Sequence, residues 1–447
     1  MFEKNGQLLR QINKAGQADF DYFLSCGLYN KLTELKWLIP HTEVKNYAGL
    51  PADPMRYKVI QPQRLPFVSY PYEWTFDQLK DAALLTLKIQ ALALSRGMIL
   101  KDASAYNVQF VGHKPVLIDS LSFSIYEIGT PWKAYRQFCE HFVAPLAIAY
   151  YGSPQIIRTL GAFLDGLPLE MAVRLLPQRA RFKKGLLAHL YMHSSAQRRY
   201  NARPTLAKPR KISSWALQGL IGSLEKCLQA LKPPDHKTEW GEYYSDTNYT
   251  KTSFKAKRQI VKTMLKQISP RPKIVWDLGA NDGTFSSLAA ELGAYTVAFD
   301  IDPMAVASNY RQLKAHSSCG NMLPLVSDLT NPSPALGWAH AERHSLLQRG
   351  PADVALALAL VHHLAIGNNL PLPKIADFMS KLCQYLIIEF VPKSDSKVRL
   401  LLSSREDIFK QYDIAHFEKA FADYFELVKH EKVLGSHRAV YLYKVKS

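Results

Sequence analysis

Past residue 270 the chain alternates between apolar runs and amphipathic stretches. Ile274-Val275-Trp276 stops at Asp277, and Tyr295 to Phe299 ends on Asp300. A third run ends at Asp328, and Asp353 to Leu360 is almost wholly apolar. Runs of this length without polar alternation belong to strands covered on both faces. Helical stretches fall between them, at Thr284 to Leu292 and at 374–382, the latter leading to a fifth strand, Tyr385 to Phe390. Helices around 405–411 and 415–424 precede two closing strands, 425–434 and 439–445, joined through Gly435-Ser436. The pattern predicts a doubly wound α/β sheet of parallel strands that ends in an antiparallel hairpin.

The first half is patterned differently. Residues 1–60 are short mixed runs broken by Pro40, Gly49, Pro51 and Pro54, and 66–75 reads as a strand entering a turn. A helix is expected over about 77–96, with Leu84, Leu87, Ala91, Leu94 and Met98 on one face. After a hairpin-like break at Gly112-His113-Lys114-Pro115, the pattern over 131–200 is mostly helical, with Trp132, Tyr135, Phe138 and Phe142 as core. Prolines 204, 209, 233 and 234 mark a boundary. The expected organisation is a mainly helical α+β domain over 1–200, a basic Pro-containing linker over 201–235, and the α/β domain over 236–447.

Composition narrows the class. A length of 447 residues, 47% hydrophobic and 21% charged, fits a soluble chain of two domains. No signal-peptide core or bilayer-length apolar run is visible, and the five cysteines show no C-x-x-C spacing. A cytoplasmic protein without a metal site is expected. The net charge of +18 is uneven, because residues 171–224 carry eleven Lys or Arg and no acid. That segment suits either a solvated face or an anionic partner such as RNA, a phosphorylated substrate or a membrane surface.

Candidate chemistry centres on 274–302. Strand, glycine turn, helix, strand and acid follow in the order of a nucleotide-binding βαβ unit. The turn Asp277-Leu278-Gly279-Ala280-Asn281-Asp282-Gly283 lacks the G-x-G-x-x-G of dinucleotide folds, and Asp282 would repel a pyrophosphate at the helix N-terminus. These residues resemble the first motif of class I S-adenosylmethionine-dependent methyltransferases, a resemblance that covers about 210 residues. It implies S-adenosyl-L-methionine as cofactor, with Gly279 and Gly283 along the methionine portion, Asp300 at the ribose diol, and Asp277, Asn281 and Ile301 as further cofactor-binding residues. It further implies Asp328 and Leu329 at the adenine, and Ala359 and Leu360 facing the methionine amine. Asp302 and Asp328 also fit as helix N-caps. Tyr243, Tyr244 or Tyr249 would meet the sulfonium or pack between domains. His362, His363 and Glu389 stand where a base is expected at strand ends. No N/D-P-P-Y/F motif follows the fourth strand, which favours an oxygen acceptor. Together with Glu389-Phe390-Val391-Pro392-Lys393, the pattern is similar to nodulation-type methyltransferases and implies a glycan or other small-molecule acceptor. RNA is the alternative.

A second resemblance lies upstream. Asp102 and Asn107, five apart, and Asp119 in Leu117-Ile118-Asp119-Ser120 resemble the catalytic and metal-binding residues of a kinase or phosphotransferase large lobe. No glycine-rich phosphate loop precedes them, and Lys58 is the stand-in for the phosphate-binding lysine. The resemblance implies Mg-ATP there only if the site is active. The alternatives are a lobe with a retired site, serving as a scaffold, and an unrelated helical domain.

Overall fold

A computed structural model describes residues 1–45, 50, 52–202, 211–233, 250–316, 320–403 and 405–446. The chain divides into two compact units, Met1–Asp235 and His236–Ser447.

The first unit begins with a four-stranded antiparallel sheet, spatially Phe2–Lys4, Gln7–Asn13, Arg56–Pro62 and His41–Glu43. The helix Phe76–Ser95 follows, opened by a capping box in which Thr75 accepts from the Gln78 backbone N–H. Its packing differs from the single stripe expected: Leu87 is buried, Leu84 and Leu94 are half-buried, Ala91 is exposed, and Met98 belongs to the next strand. Phe76, Leu79, Ala83, Thr86, Ile89 and Gln90 are buried as well, so most of the circumference is covered and no one stripe exists to be found. Residues 66–75 form no strand. Pro71 opens a 3₁₀ turn whose Glu73 carboxylate accepts from the Tyr70 N–H at 2.9 Å. Two short antiparallel strand pairs, Met98–Leu100 with Phe123–Ile125 and, between them in the chain, Val108–Val111 with Lys114–Leu117, flank the segments that hold Asp102, Asn107 and Asp119. The helix Ser214–Gln229 packs on Phe76–Ser95 and belongs to this unit.

The second unit is a seven-stranded sheet whose strands we number β1 Ile274–Leu278, β2 Tyr295–Asp300, β3 Met322–Val326, β4 Ala352–Ala357, β5 Cys383–Phe390, β6 Phe425–Lys432 and β7 Ala439–Val445. Their spatial order is β3-β2-β1-β4-β5-β7-β6, all parallel except β7. Val275, Val354, Leu356 and Ile387 face one side, where Ile260, Val261 and Met264 of the helix Lys251–Gln267 and Phe285 and Leu288 cover them. Every residue of β3 and all but one of β4 are buried, which explains their unbroken apolar sequence.

The helix expected at 405–411 does not form; the helix lies earlier, at Ser396–Ser403. Around 407 the Asp407 carboxylate instead accepts from the Phe409 N–H and the Lys393 ammonium, local bonds that compete with helix. β3 ends at Val326 and β4 at Ala357, which leaves Asp328, Ala359 and Leu360 on loops beyond the strands.

Gly283 has φ of 82°, and a Cβ there would overlap the Asn309 side chain. Gly283→Ala should therefore lower the stability of the second unit by about 1–3 kcal/mol in chemical denaturation. Gly219→Ala, on a helix where a Cβ meets nothing, should instead stabilise slightly.

Candidate functional site

β1 delivers the chain to a turn that only certain residues tolerate. Gly279 takes φ of 83° and Asn281 φ of 50°. Asn is among the few side-chain-bearing residues that adopt this conformation readily. The Gly279 and Ala280 N–H groups both donate to the Phe299 carbonyl, at 2.9 and 2.8 Å, tying the turn to β2. A Cβ on Gly279 would come 3.4 Å from Leu360, so its absence keeps the floor open between the ends of β1 and β4. At the end of β2 the two Asp300 carboxylate oxygens accept from the Asn281 N–H at 2.8 Å and the Asp302 N–H at 2.9 Å. Asp302 in turn caps the following helix, accepting from the Met304 N–H.

These turns enclose a cavity of about 300 Å³ at the carboxyl ends of β1 to β4. Its wall brings together Asp277, Gly279, Asn281, Asp300, Ile301, Asp328, Leu329, Ala359, Leu360 and His363. Lys257, Phe285, Ser327, Thr330 and Asn368 also line it, with the apolar Ala280, Leu358 and Leu364. A hollow of about 410 Å³ at the opposite ends of the strands, between Leu265, Arg271, Val275 and Ala294, collects no acids or histidines and is set aside.

Several sequence candidates stand off the wall. Gly283 packs against Asn309 of the helix Pro303–Ala315. His362 is fully buried, its Nδ1 without a hydrogen-bond partner. Glu389 is buried between Lys257, at 2.7 Å, and Arg438, at 3.7 Å. Tyr243, Tyr244 and Tyr249 lie outside the described residues. Asp328 caps its own loop rather than a helix, accepting from the Thr330 N–H at 2.9 Å and hydroxyl at 2.6 Å. Lys257 was missed. Its signal is a cation interrupting the apolar stripe Phe254, Ile260, Val261 and Met264 of one helix.

Burial sets the electrostatics. Asp277 accepts from the Ser286 hydroxyl at 2.6 Å, yet desolvation pushes its carboxyl up to about 7. Desolvation raises Asp300 to about 6, opposed by the backbone N–H groups of Asp302, Asn281 and Ile301. Desolvation also lowers His363 to about 4, with Arg438 adding to the effect, so the imidazole facing the cavity is neutral at pH 7. Lys257 is lowered by burial while Glu389 pulls it back toward the charged form. Among the described residues no group of three or more His, Cys, Asp or Glu is placed to hold a metal ion.

In the first unit, Asp102 accepts from the Ser104 N–H at 3.0 Å and Asn107 donates to the Ser122 hydroxyl at 3.2 Å. Asp119 is ion-paired with Arg10 at 2.7 Å, while Lys58 pairs with Glu43 at 3.2 Å. Asp119 and Lys58 thus each have an ion-pair partner within this unit.

The sheet order and the cleft at its carboxyl edge define the class I methyltransferase fold. The chain is 36% identical over 393 residues to nodulation protein NoeA of Rhizobium meliloti (strain 1021), spanning 87% of this chain and 82% of that protein. It belongs to the NoeA family. No protein-family profile matches it. Solved structures with a similar fold include magnesium protoporphyrin IX methyltransferase of Synechocystis PCC 6803 (18% identity, TM-score 0.32, covering 46% of this chain and 93% of that one). N-methyltransferase NodS of Bradyrhizobium japonicum WM9 (10%, 0.32, covering 44% and 98%) and WbdD (16%, 0.32, covering 49% and 47%) are others. These likenesses are too slight to bear on the chemistry.

The raised Asp277 has a consequence for stability. The folded state holds its proton more tightly than the unfolded chain, whose carboxyl titrates near 4. Its contribution is therefore fully present below about 4 and is lost as pH rises through about 7. Asp277→Asn should flatten this loss: the melting temperature of the ligand-free second unit should exceed that of the parent at pH 8 and match it near pH 4.

Proposed function

We propose that the second unit binds S-adenosylmethionine and transfers its methyl group to an oxygen of a glycan or another small molecule. The observation that carries this reading is the single cavity wall joining the Gly279–Asn281 turn, the Asp300 carboxylate and the Asp328-Leu329 loop. The residues fit the cofactor. Asp300 uses its two backbone bonds to fix its orientation and keeps lone pairs for a ribose diol. Gly279 opens the floor for the methionine portion, and Leu329 offers an apolar flank for a purine. Asp277 supplies a carboxylate toward a cationic ligand, whose charge would draw its proton off.

The cofactor brings an activated methyl group, and the protein's contribution is alignment, for which well-oriented systems gain roughly 7–11 kcal/mol. His363 is the residue placed to take a proton from an acceptor hydroxyl: it lines the cavity, and burial keeps its imidazole neutral at pH 7. Glu389 holds Lys257 in the wall rather than acting on substrate. After β4 the chain reads Leu358-Ala359-Leu360-Val361-His362-His363, without the N/D-P-P-Y/F arrangement of amine methylation, and this favours oxygen.

Titration calorimetry with S-adenosylmethionine should give a saturable isotherm that Asp300→Ala weakens at least 10-fold, through loss of charge-assisted bonds worth about 1.5–3 kcal/mol each. Affinity should rise with pH through about 6, as Asp300 ionises. Binding of NADH without binding of S-adenosylmethionine would sink the reading. Cell extract incubated with methyl-labelled cofactor and analysed by mass spectrometry identifies the acceptor. His363→Gln should lower its turnover by roughly 100-fold or more while leaving cofactor affinity within about twofold.

A further inference from the structure

The acid-free segment 171–224 does not remain an abstract charge run once folded. The helix Leu169–Leu175, the 3₁₀ turn Gln178–Phe182 and the π-helical turn Leu187–Met192 pack against one another and bring a mixed surface together. Phe182 projects from it with 88% of its surface exposed, and Met192 and Leu175 are exposed to 61% and 50%. Arg179 and Arg181 immediately precede that phenylalanine and Lys184 follows it, all three exposed.

We propose that this face docks the protein on an anionic lipid bilayer, with Phe182 entering the acyl boundary and the surrounding cations meeting lipid headgroups. Exposed cations alone would suit any polyanion; the apolar side chains decide. An aromatic left almost wholly in water gains on entering a headgroup–acyl boundary, and basic neighbours add electrostatic attraction. RNA would need bare aromatic faces for stacking. Here Arg179 lies over the Tyr151 ring at 5.5 Å, Arg181 over Tyr191 at 5.2 Å and Lys183 over Tyr150 at 4.3 Å. The three tyrosines thus carry cations, and the exposed Phe182 is a single ring rather than the row of rings on which successive bases stack. Among the described residues no helix is long and apolar enough to cross a membrane, so attachment here is to the surface.

Co-sedimentation of the full chain with phosphatidylcholine vesicles, with and without phosphatidylglycerol, tests the inference without reference to the methyltransferase site. Binding should require phosphatidylglycerol, weaken as salt rises and be indifferent to S-adenosylmethionine. Phe182→Ser should reduce partition by roughly 10-fold or more, and Arg179→Gln or Lys184→Gln by about fivefold each. Trp338→Ser, a control at an exposed tryptophan of the second unit, should change nothing. The proposal is overturned if anionic vesicles do not bind or if Phe182→Ser binds them as the parent does. It is equally overturned if single-stranded RNA competes fully with vesicles, or if sedimentation velocity shows Phe182 sealed against a second copy of the chain.

Discussion

Glu389 at the end of β5 is the point on which the second unit closes. It accepts from the Lys257 ammonium at 2.7 Å and faces Arg438, whose Nε is 2.7 Å from Asp395. All four side chains are almost wholly buried. Two cations and two acids alternate through the interior and join the helix Lys251–Gln267, β5, the loop after it and the start of β7. Such a chain is weak evidence for net stability, because desolvating four charges costs about what their pairing returns. Its effect is on position. Any member left unpaired would be an uncompensated charge in low dielectric, so the helix and the two strands are held in one mutual register. Lys257 is thereby fixed in the cavity wall.

The same low dielectric governs the cleft. Asp277 and Asp300 line the wall yet are almost wholly buried, and burial holds both carboxyls toward their neutral forms. A site that keeps acids reluctant to ionise when empty gains most from a ligand that carries positive charge. His363 obeys the opposite sign of one rule: burial disfavours its cation and leaves a neutral ring. One cleft therefore presents carboxylates to a cation and an uncharged nitrogen to a proton donor, with desolvation as the common cause.

The sheet was legible because its strands are buried on both faces, and the acids at their ends because a charge stops an apolar run. The succession of β1 to β5 along the chain and the two closing strands are visible in that pattern, whereas their spatial order is not. Fine placement was not legible. Gly283 and Gly279 look alike in sequence, yet one clears a helix and the other a cavity, a distinction that only the neighbours Asn309 and Leu360 make. His362 and His363 differ by one residue and face different surroundings. Lys257 sits beyond local pattern altogether, since its partner lies 132 positions away. In the first unit the central helix defeated periodicity by being covered almost all round, and in the second Asp407 replaced an expected helix with its own hydrogen bonds.

Arg10 gives the upstream carboxylate Asp119 a partner within the first unit. The spacing of Asp102, Asn107 and Asp119 arises from a hairpin whose Ile118 N–H donates to the Asn107 carbonyl at 2.8 Å, a geometry the backbone needs whatever the side chains do. At its end, Asp119 is charge-compensated by an arginine delivered from the Gln7–Asn13 strand. Asn107 is engaged by Ser122, and Asp102 by its own loop. Each polar group thus has a structural occupation within the unit, sufficient to explain its presence without a ligand. In the cleft of the second unit the contrast is direct: Asp300 spends two bonds on orientation and still lines the cavity. Function is better read from acids that retain unused lone pairs toward a cavity than from the spacing of acids along a chain.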